Sequence, residues 1–139
     1  MTLQADVLSD SLDLLFNREP DFTHHFYRLL MARHPESQRM FELVDMEAQE
    51  VKLSEMLVLL VRQLENDAWV MATLKELGRD HVKYGVTAEM YPWVAQCLLD
   101  TAKACCGEDW TSEINAAWSD ALTVIASVML EGVRGAAAA

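Results

Sequence analysis

Helix breakers are scarce in this chain: its 139 residues include five glycines and three prolines, and apolar residues recur three and four apart almost from end to end. Alternating β-branched runs are missing. That spacing builds amphipathic helices and not strands, so an all-α fold is predicted. The pattern and its punctuation divide the chain into helices over roughly 3–16, 21–34, 45–64, 68–82, 88–105 and 112–131, with one short turn over 35–40. Asp21, Asp45, Thr87 and Thr111 stand where N-caps belong. His34 precedes Pro35 and is pushed out of helical geometry, while Pro92 is tolerable in a first turn. Six to seven helices with short connections leave two architectures, a parallel-sided bundle or helices crossing at larger angles around a pocket.

With 52% hydrophobic residues, a chain of this length buries one sizeable core. One domain is expected over residues 1–132, followed by a disordered tail over 133–139, where Gly135 precedes four alanines. The balance of 22 acids against 11 bases, a net charge of -11, repels phosphate backbones and anionic lipid. Neither nucleic acid nor a membrane is an expected partner. No apolar run reads as long enough for a membrane span, and the first ten residues carry acids where a signal peptide carries lysines, so a cytoplasmic location is expected. Three cysteines, two of them adjacent at Cys105 and Cys106, form neither a disulfide framework nor a zinc site with CxxC spacing.

The stretch "LKELGRDHVKYGV", residues 74–86, carries the chemistry. His81 lies seven residues after Leu74 and four after Leu77, on the face that points to the core. Taken alone, an inward histidine is a satisfied core residue or a cation at the negative end of a helix. Two glycines argue for more. Gly78 costs a helix about 1 kcal/mol relative to alanine and implies close packing on its backbone, as a flat cofactor would give. Gly85 suits a left-handed cap, and a helix ending there allows the Leu77 carbonyl to accept the Nδ1 proton of His81, which leaves Nε2 free for a metal. One imidazole cannot hold a bare zinc or iron ion, and neither HExxH nor ExxH is present. It can hold the iron of a haem, whose porphyrin supplies four further ligands.

The segments "LGRDHVKYGV", "YPWVAQCLL" and "GEDWTSEINAAW" resemble the second half of bacterial single-domain globins, relatives of the flavohaemoglobins. In the first half, "FYRLLMARHPESQRMF" and "QEVKL" resemble the same family's second helix, proline-started third helix, corner phenylalanine and distal helix. The resemblance implies a globin fold around haem b, with His81 as the proximal iron ligand and Phe41 packed on the porphyrin. It places Tyr27 and Gln49 as hydrogen-bond donors toward bound ligand, Leu53 in the remaining distal space, and Lys52 within reach of a haem propionate. Tyr91 matches a proximal tyrosine. Leu122 and Val133 stand where flavohaemoglobins carry a tyrosine and a glutamate, so a peroxidase-like push on bound oxygen is not implied unless Glu131 substitutes. Without the resemblance, Phe41 and Leu53 read as core residues, Tyr27 as a half-buried helix tyrosine and Gln49 as a helix-start polar residue. His24, His25 and His34 are expected to face solvent.

The function so implied is reversible binding of dioxygen, carbon monoxide and nitric oxide, as in oxygen transport. A second expectation is nitric oxide dioxygenation driven by a separate reductase, since no flavin or nicotinamide domain follows residue 139. A third keeps the helices and drops the haem, leaving an interaction or sensor module with His81 in its core. Because Gln49 stands where many globins carry a distal histidine, no second imidazole is expected to close the iron from that position.

Overall fold

The computed structural model describes residues 3–138, with side chains described as far as residue 134. Among the described residues six α-helices follow one another: α1 (Ala5–Arg18), α2 (Phe22–Arg33), α3 (Met46–Arg62), α4 (Asp67–Lys83), α5 (Met90–Cys106) and α6 (Ser112–Ala138). Pro35–Phe41 and Gly107–Asp109 form 3-10 turns, and no strand occurs among the described residues. The all-α prediction holds, and the helices cross around two apolar clusters.

Local chemistry explains most boundaries. Asp45 accepts the Ala48 N–H at 3.3 Å, Asn66 that of Trp69 at 3.3 Å, and Thr111 that of Ile114 at 3.2 Å. Each cap of this kind contributes about 1 kcal/mol. Asp21 precedes α2 as expected but makes no side-chain cap bond. Thr87 is not a cap: its carbonyl accepts the Met90 N–H at 3.1 Å in a turn, and α5 starts two residues later than its spacing suggests. Pro92 stays in the first turn of α5, as expected. α6 runs past the expected stop near 131, to Ala138. Alanine is the strongest helix former, and one glycine among alanines does not end a helix already nucleated over five turns. Ala139 lies outside the described residues.

The larger cluster joins α1, α2, α5 and the first half of α6 through Leu8, Leu12, Phe22, Phe26, Leu98 and Trp118. A smaller one joins α3, α4 and the second half of α6 through Leu60, Val70, Leu74, Val128 and Met129. Each of these large side chains contributes about 1.5–3 kcal/mol by leaving water. Between α2 and α5 an Arg33–Asp100 ion pair closes at 2.6 Å, beside His34 stacked on Trp93 with ring centroids 4.1 Å apart and planes 5° from parallel. His34 is therefore half-buried against an indole and not solvent-facing, because the bend at Pro35 turns its ring back onto α5.

α6 touches both clusters, and that demand makes it apolar around much of its circumference. Residues 112–134 reach a mean hydropathy of 1.3 in their best window, long and apolar enough to cross a membrane. This corrects the expectation that no segment qualifies. Its buried residues Ala117, Trp118, Ala121, Val128 and Met129 pack within the two clusters.

α4 packs on α6 with backbone close to backbone. A Cβ added at Gly78 would overlap the backbone of Met129, and one added at Gly132 would overlap that of Lys75. As α4 advances from 75 to 78, its contacts on α6 retreat from 132 to 129, so the helices run antiparallel with their backbones touching. The close neighbour that Gly78 announced is thus α6 and not a flat cofactor. Gly78→Ala should lower unfolding free energy by about 1–3 kcal/mol, since helix backbones cannot yield as a side chain does. Urea titrations of the two proteins, with fluorescence and circular dichroism transitions compared, measure it.

Candidate functional site

α4 ends in a motif that fixes His81 at both ends. Gly85 adopts φ 87°, the left-handed conformation that glycine enters without strain. Its N–H donates to the Val82 carbonyl at 3.0 Å, and the Val86 N–H donates to the His81 carbonyl at 3.1 Å. This is the Schellman pairing, which satisfies carbonyls that a helix end leaves open. On the side chain, Nδ1 lies 2.7 Å from the Leu77 carbonyl one turn back. A carbonyl only accepts, so the proton sits on Nδ1 and the Nε2 lone pair is available. Nε2 has no hydrogen-bond partner among the described residues. Among the described residues no carboxylate pairs with the ring, and Glu131 is exposed on α6, so it does not substitute for the missing glutamate.

A second constellation forms where α2 meets α3. Tyr27 is buried at 7% exposure, and Gln49 Nε2 donates to its hydroxyl at 3.1 Å. The tyrosine ring packs edge-on against Phe41, with centroids 5.5 Å apart, and against Phe26 at 4.9 Å. Burial pushes the Tyr27 hydroxyl above its ordinary pKa; the Gln49 hydrogen bond pulls it down and the Glu50 charge raises it further. The phenol therefore keeps its proton at neutral pH, accepts from Gln49 and still has that proton to donate. Thr23 secures this junction: its hydroxyl donates to the Glu50 carbonyl at 3.1 Å and sits 3.1 Å from Ser54 Oγ. His24 adds a 3.0 Å contact to the Glu50 carboxylate at the half-exposed rim.

The remaining expected site residues fall into two groups. Phe41 and Leu53 are half-buried against the larger cluster, near Tyr27 and Gln49. Tyr91 is half-buried against the smaller cluster that also receives Leu77, and burial raises its pKa. Its hydroxyl finds no partner among the described residues. Lys52 is exposed, with no ion pair to any described residue. α3 links the groups, because Leu53 leans on one cluster and Met56, three residues on, leans on the other. Sequence spacing puts Met56 on the inward face of its helix but does not single out Ile125 or the Thr23–Ser54 pair, whose signal was present only as apolar and small polar residues at inward helix positions.

Half-buried apolar side chains are the chemical feature of this region: Phe41, Leu53 and Val94 on one cluster, Met56, Leu77 and Ile125 on the other. Among the described residues no group of three or more His, Cys, Asp or Glu side chains is arranged to hold a bare metal ion. One imidazole with a free lone pair, apolar walls and a buried hydroxyl donor fit a haem, which brings its own four equatorial ligands and an apolar ring to cover.

The class that this fold and donor set define is a helical haem protein. A family model described as Globin matches residues 9–129, and the chain belongs to the globin family. It is 28% identical over 126 residues to a flavohemoprotein of Rhizobium meliloti, a match covering 89% of this chain and 31% of that protein. The chain thus spans about a third of the flavohemoproteins it matches. Leghemoglobin-1 of Lupinus luteus is 27% identical over 148 residues, covering 97% of this chain and 96% of that one. Among solved structures, an engineered carbene transferase, a candidate nitric oxide dioxygenase from Rhodothermus marinus, superposes with a TM-score of 0.82 at 28% identity, covering 96% of this chain and 94% of the other. A bacterial globin from Campylobacter jejuni shares the fold at a TM-score of 0.82 and 23% identity, covering 98% of each chain.

The raised pKa of Tyr27 has a signed consequence. A group whose pKa is higher folded than unfolded contributes stability that is complete below the unfolded value and lost as pH rises through the folded one. Stability should therefore fall above pH 10.0, the unperturbed tyrosine value, and Tyr27→Phe should flatten part of that fall. Unfolding midpoints of the two proteins between neutral and strongly alkaline pH test the slope; Tyr91 accounts for a residual.

Proposed function

We propose that the protein binds haem b through His81 Nε2 and reversibly binds dioxygen, carbon monoxide and nitric oxide on the face that meets Tyr27 and Gln49. The observation that carries this reading is the 2.7 Å contact of His81 Nδ1 with the Leu77 carbonyl, which presents Nε2 in the tautomer that a metal requires. Haem, when bound, would supply an iron able to take a diatomic ligand. The chain's own residues do the rest. Tyr27, its acceptor side occupied by Gln49, donates its proton to a ligand that carries partial negative charge. Phe41 packs on the ring, Leu53 narrows the distal space, and Tyr91 lies on the histidine side. Lys52, with no protein partner among the described residues, is free to pair with a propionate at the surface.

A second reading, nitric oxide dioxygenation, has one observation in its favour: the likeness to the Rhodothermus marinus protein, itself a candidate for that activity. In it dioxygen and nitric oxide combine to nitrate, and one electron per turnover comes from a separate reductase. Tyr27 and Gln49 serve both readings by holding the dioxygen.

Titrating apoprotein with haem, then reducing and adding carbon monoxide, tests the first reading. One haem per chain and a Soret band that shifts with carbon monoxide are expected, and His81→Ala should lose the reduced, histidine-ligated band. Failure to bind stoichiometric haem would leave the helical module without a cofactor. Tyr27→Phe should speed dioxygen release about tenfold or more, since a hydrogen bond to a charge-bearing acceptor contributes about 1.5–3 kcal/mol. Stopped-flow displacement by carbon monoxide reads it. Sustained nitric oxide loss with an added reductase, as against one turnover and a stall, separates enzyme from carrier.

A further inference from the structure

Beside the Tyr27–Gln49 contact, α2 and α3 are joined by a second rung. His24 stands one turn before Tyr27 on α2, and Glu50 follows Gln49 on α3. The Thr23 hydroxyl donates to the Glu50 carbonyl at 3.1 Å, and His24 Nδ1 lies 3.0 Å from Glu50 Oε2. An ionised carboxylate only accepts, so His24 donates from Nδ1. No other side chain bonds this carboxylate among the described residues.

Glu50 differs from the other charges of these two helices near the junction. Its side chain is 18% exposed, whereas Glu47, Lys52 and Glu55 of α3 and Arg28 of α2 are exposed and screened by water. His25 turns to Glu19 instead, at 3.6 Å. After burial, which acts most strongly, the Glu50 charge also disfavours loss of the Tyr27 proton, against the pull of the Gln49 hydrogen bond. The same charge opposes the partial negative charge of any ligand that Tyr27 faces. We propose that Glu50, held in place by His24, is a positioning residue that weakens Tyr27 as a hydrogen-bond donor, and so keeps dioxygen release faster than Tyr27 and Gln49 alone would allow. Adjacent residues of α3 thus act in opposite senses on one hydroxyl. The consequence for dioxygen rests on the haem reading above; the coupling of Glu50 to Tyr27 does not.

Two variants of the full chain test it. Glu50→Gln removes the charge and keeps an oxygen for His24 Nδ1; His24→Arg keeps Glu50 and sets beside it a positive charge that persists at alkaline pH. Ionisation of Tyr27 is followed by the carbon-13 resonance of labelled tyrosine, assigned with Tyr27→Phe because Tyr84 and Tyr91 also titrate. Both variants should ionise Tyr27 at lower pH than wild type. Loaded with haem at neutral pH, both should release dioxygen about threefold more slowly, the size expected for one charge acting on a partial charge across a partly buried junction. A junction that merely loosened would speed release, so the sign separates charge from structure. An unchanged Tyr27 titration, or release that is equal or faster in both variants, would overturn the proposal. If one variant fails to fold, the other decides. A chain that takes up no haem removes the iron, and the tyrosine titration then decides the coupling by itself.

Discussion

The backbone-to-backbone crossing of α4 on α6 sets the terms for everything on the histidine side of the molecule. Helices with ordinary side chains between them sit 8–10 Å apart at the axes, and any Cβ at Gly78 or Gly132 would force these two beyond their observed contact. The glycines cost α4 and α6 some helix propensity, and the buried cluster of Leu60, Val70, Leu74, Val128 and Met129 offsets it. His81 follows Gly78 by three residues, on the last turns of α4. Its position therefore depends on how deep α4 sinks into α6, and on the Gly85 cap that stops the helix just after it.

Both polar groups of the candidate site obey one hydrogen-bond logic. Each is satisfied on one side by a neighbour from the fold and left open on the other. His81 spends Nδ1 on the Leu77 carbonyl and keeps Nε2; Tyr27 accepts from Gln49 and keeps its own proton. A buried donor or acceptor with no partner costs about 1–3 kcal/mol, so the partial satisfaction lets these groups persist inside an apolar fold while reserving one function each. Among the described residues no carboxylate pairs with His81, and the one hydrogen bond of its ring is to a backbone carbonyl.

Much of this was legible in the sequence because it is local. The helices follow from apolar spacing, and the His81–Leu77 contact follows from four-residue geometry together with a glycine where the left-handed cap falls. The Tyr27–Gln49 junction came from resemblance, since nothing in the spacing of residues 27 and 49 brings them together; packing of α2 on α3 does. Features that depend on a distant partner were misread. Gly78 signalled close packing, but the sequence could not say that Met129 of α6 supplies it. His34 looked solvent-facing until Trp93, 59 positions away, offered an indole face. The extent of α6 was underestimated because glycine was weighed as a stop, whereas Gly132 serves as a packing contact against Lys75 in mid-helix.

The claim that ties fold to function is that the α4–α6 crossing holds His81 where a haem needs it. The most direct measurement is the rate of haem loss to an excess of acceptor apoprotein from wild type and from Gly132→Ala, a substitution on the helix that does not carry the histidine. The account predicts faster loss from the variant with helix content retained, because lifting α4 off α6 displaces His81 without touching it. Equal rates in two equally helical proteins would contradict it and assign the placement of His81 to the Gly85 cap alone.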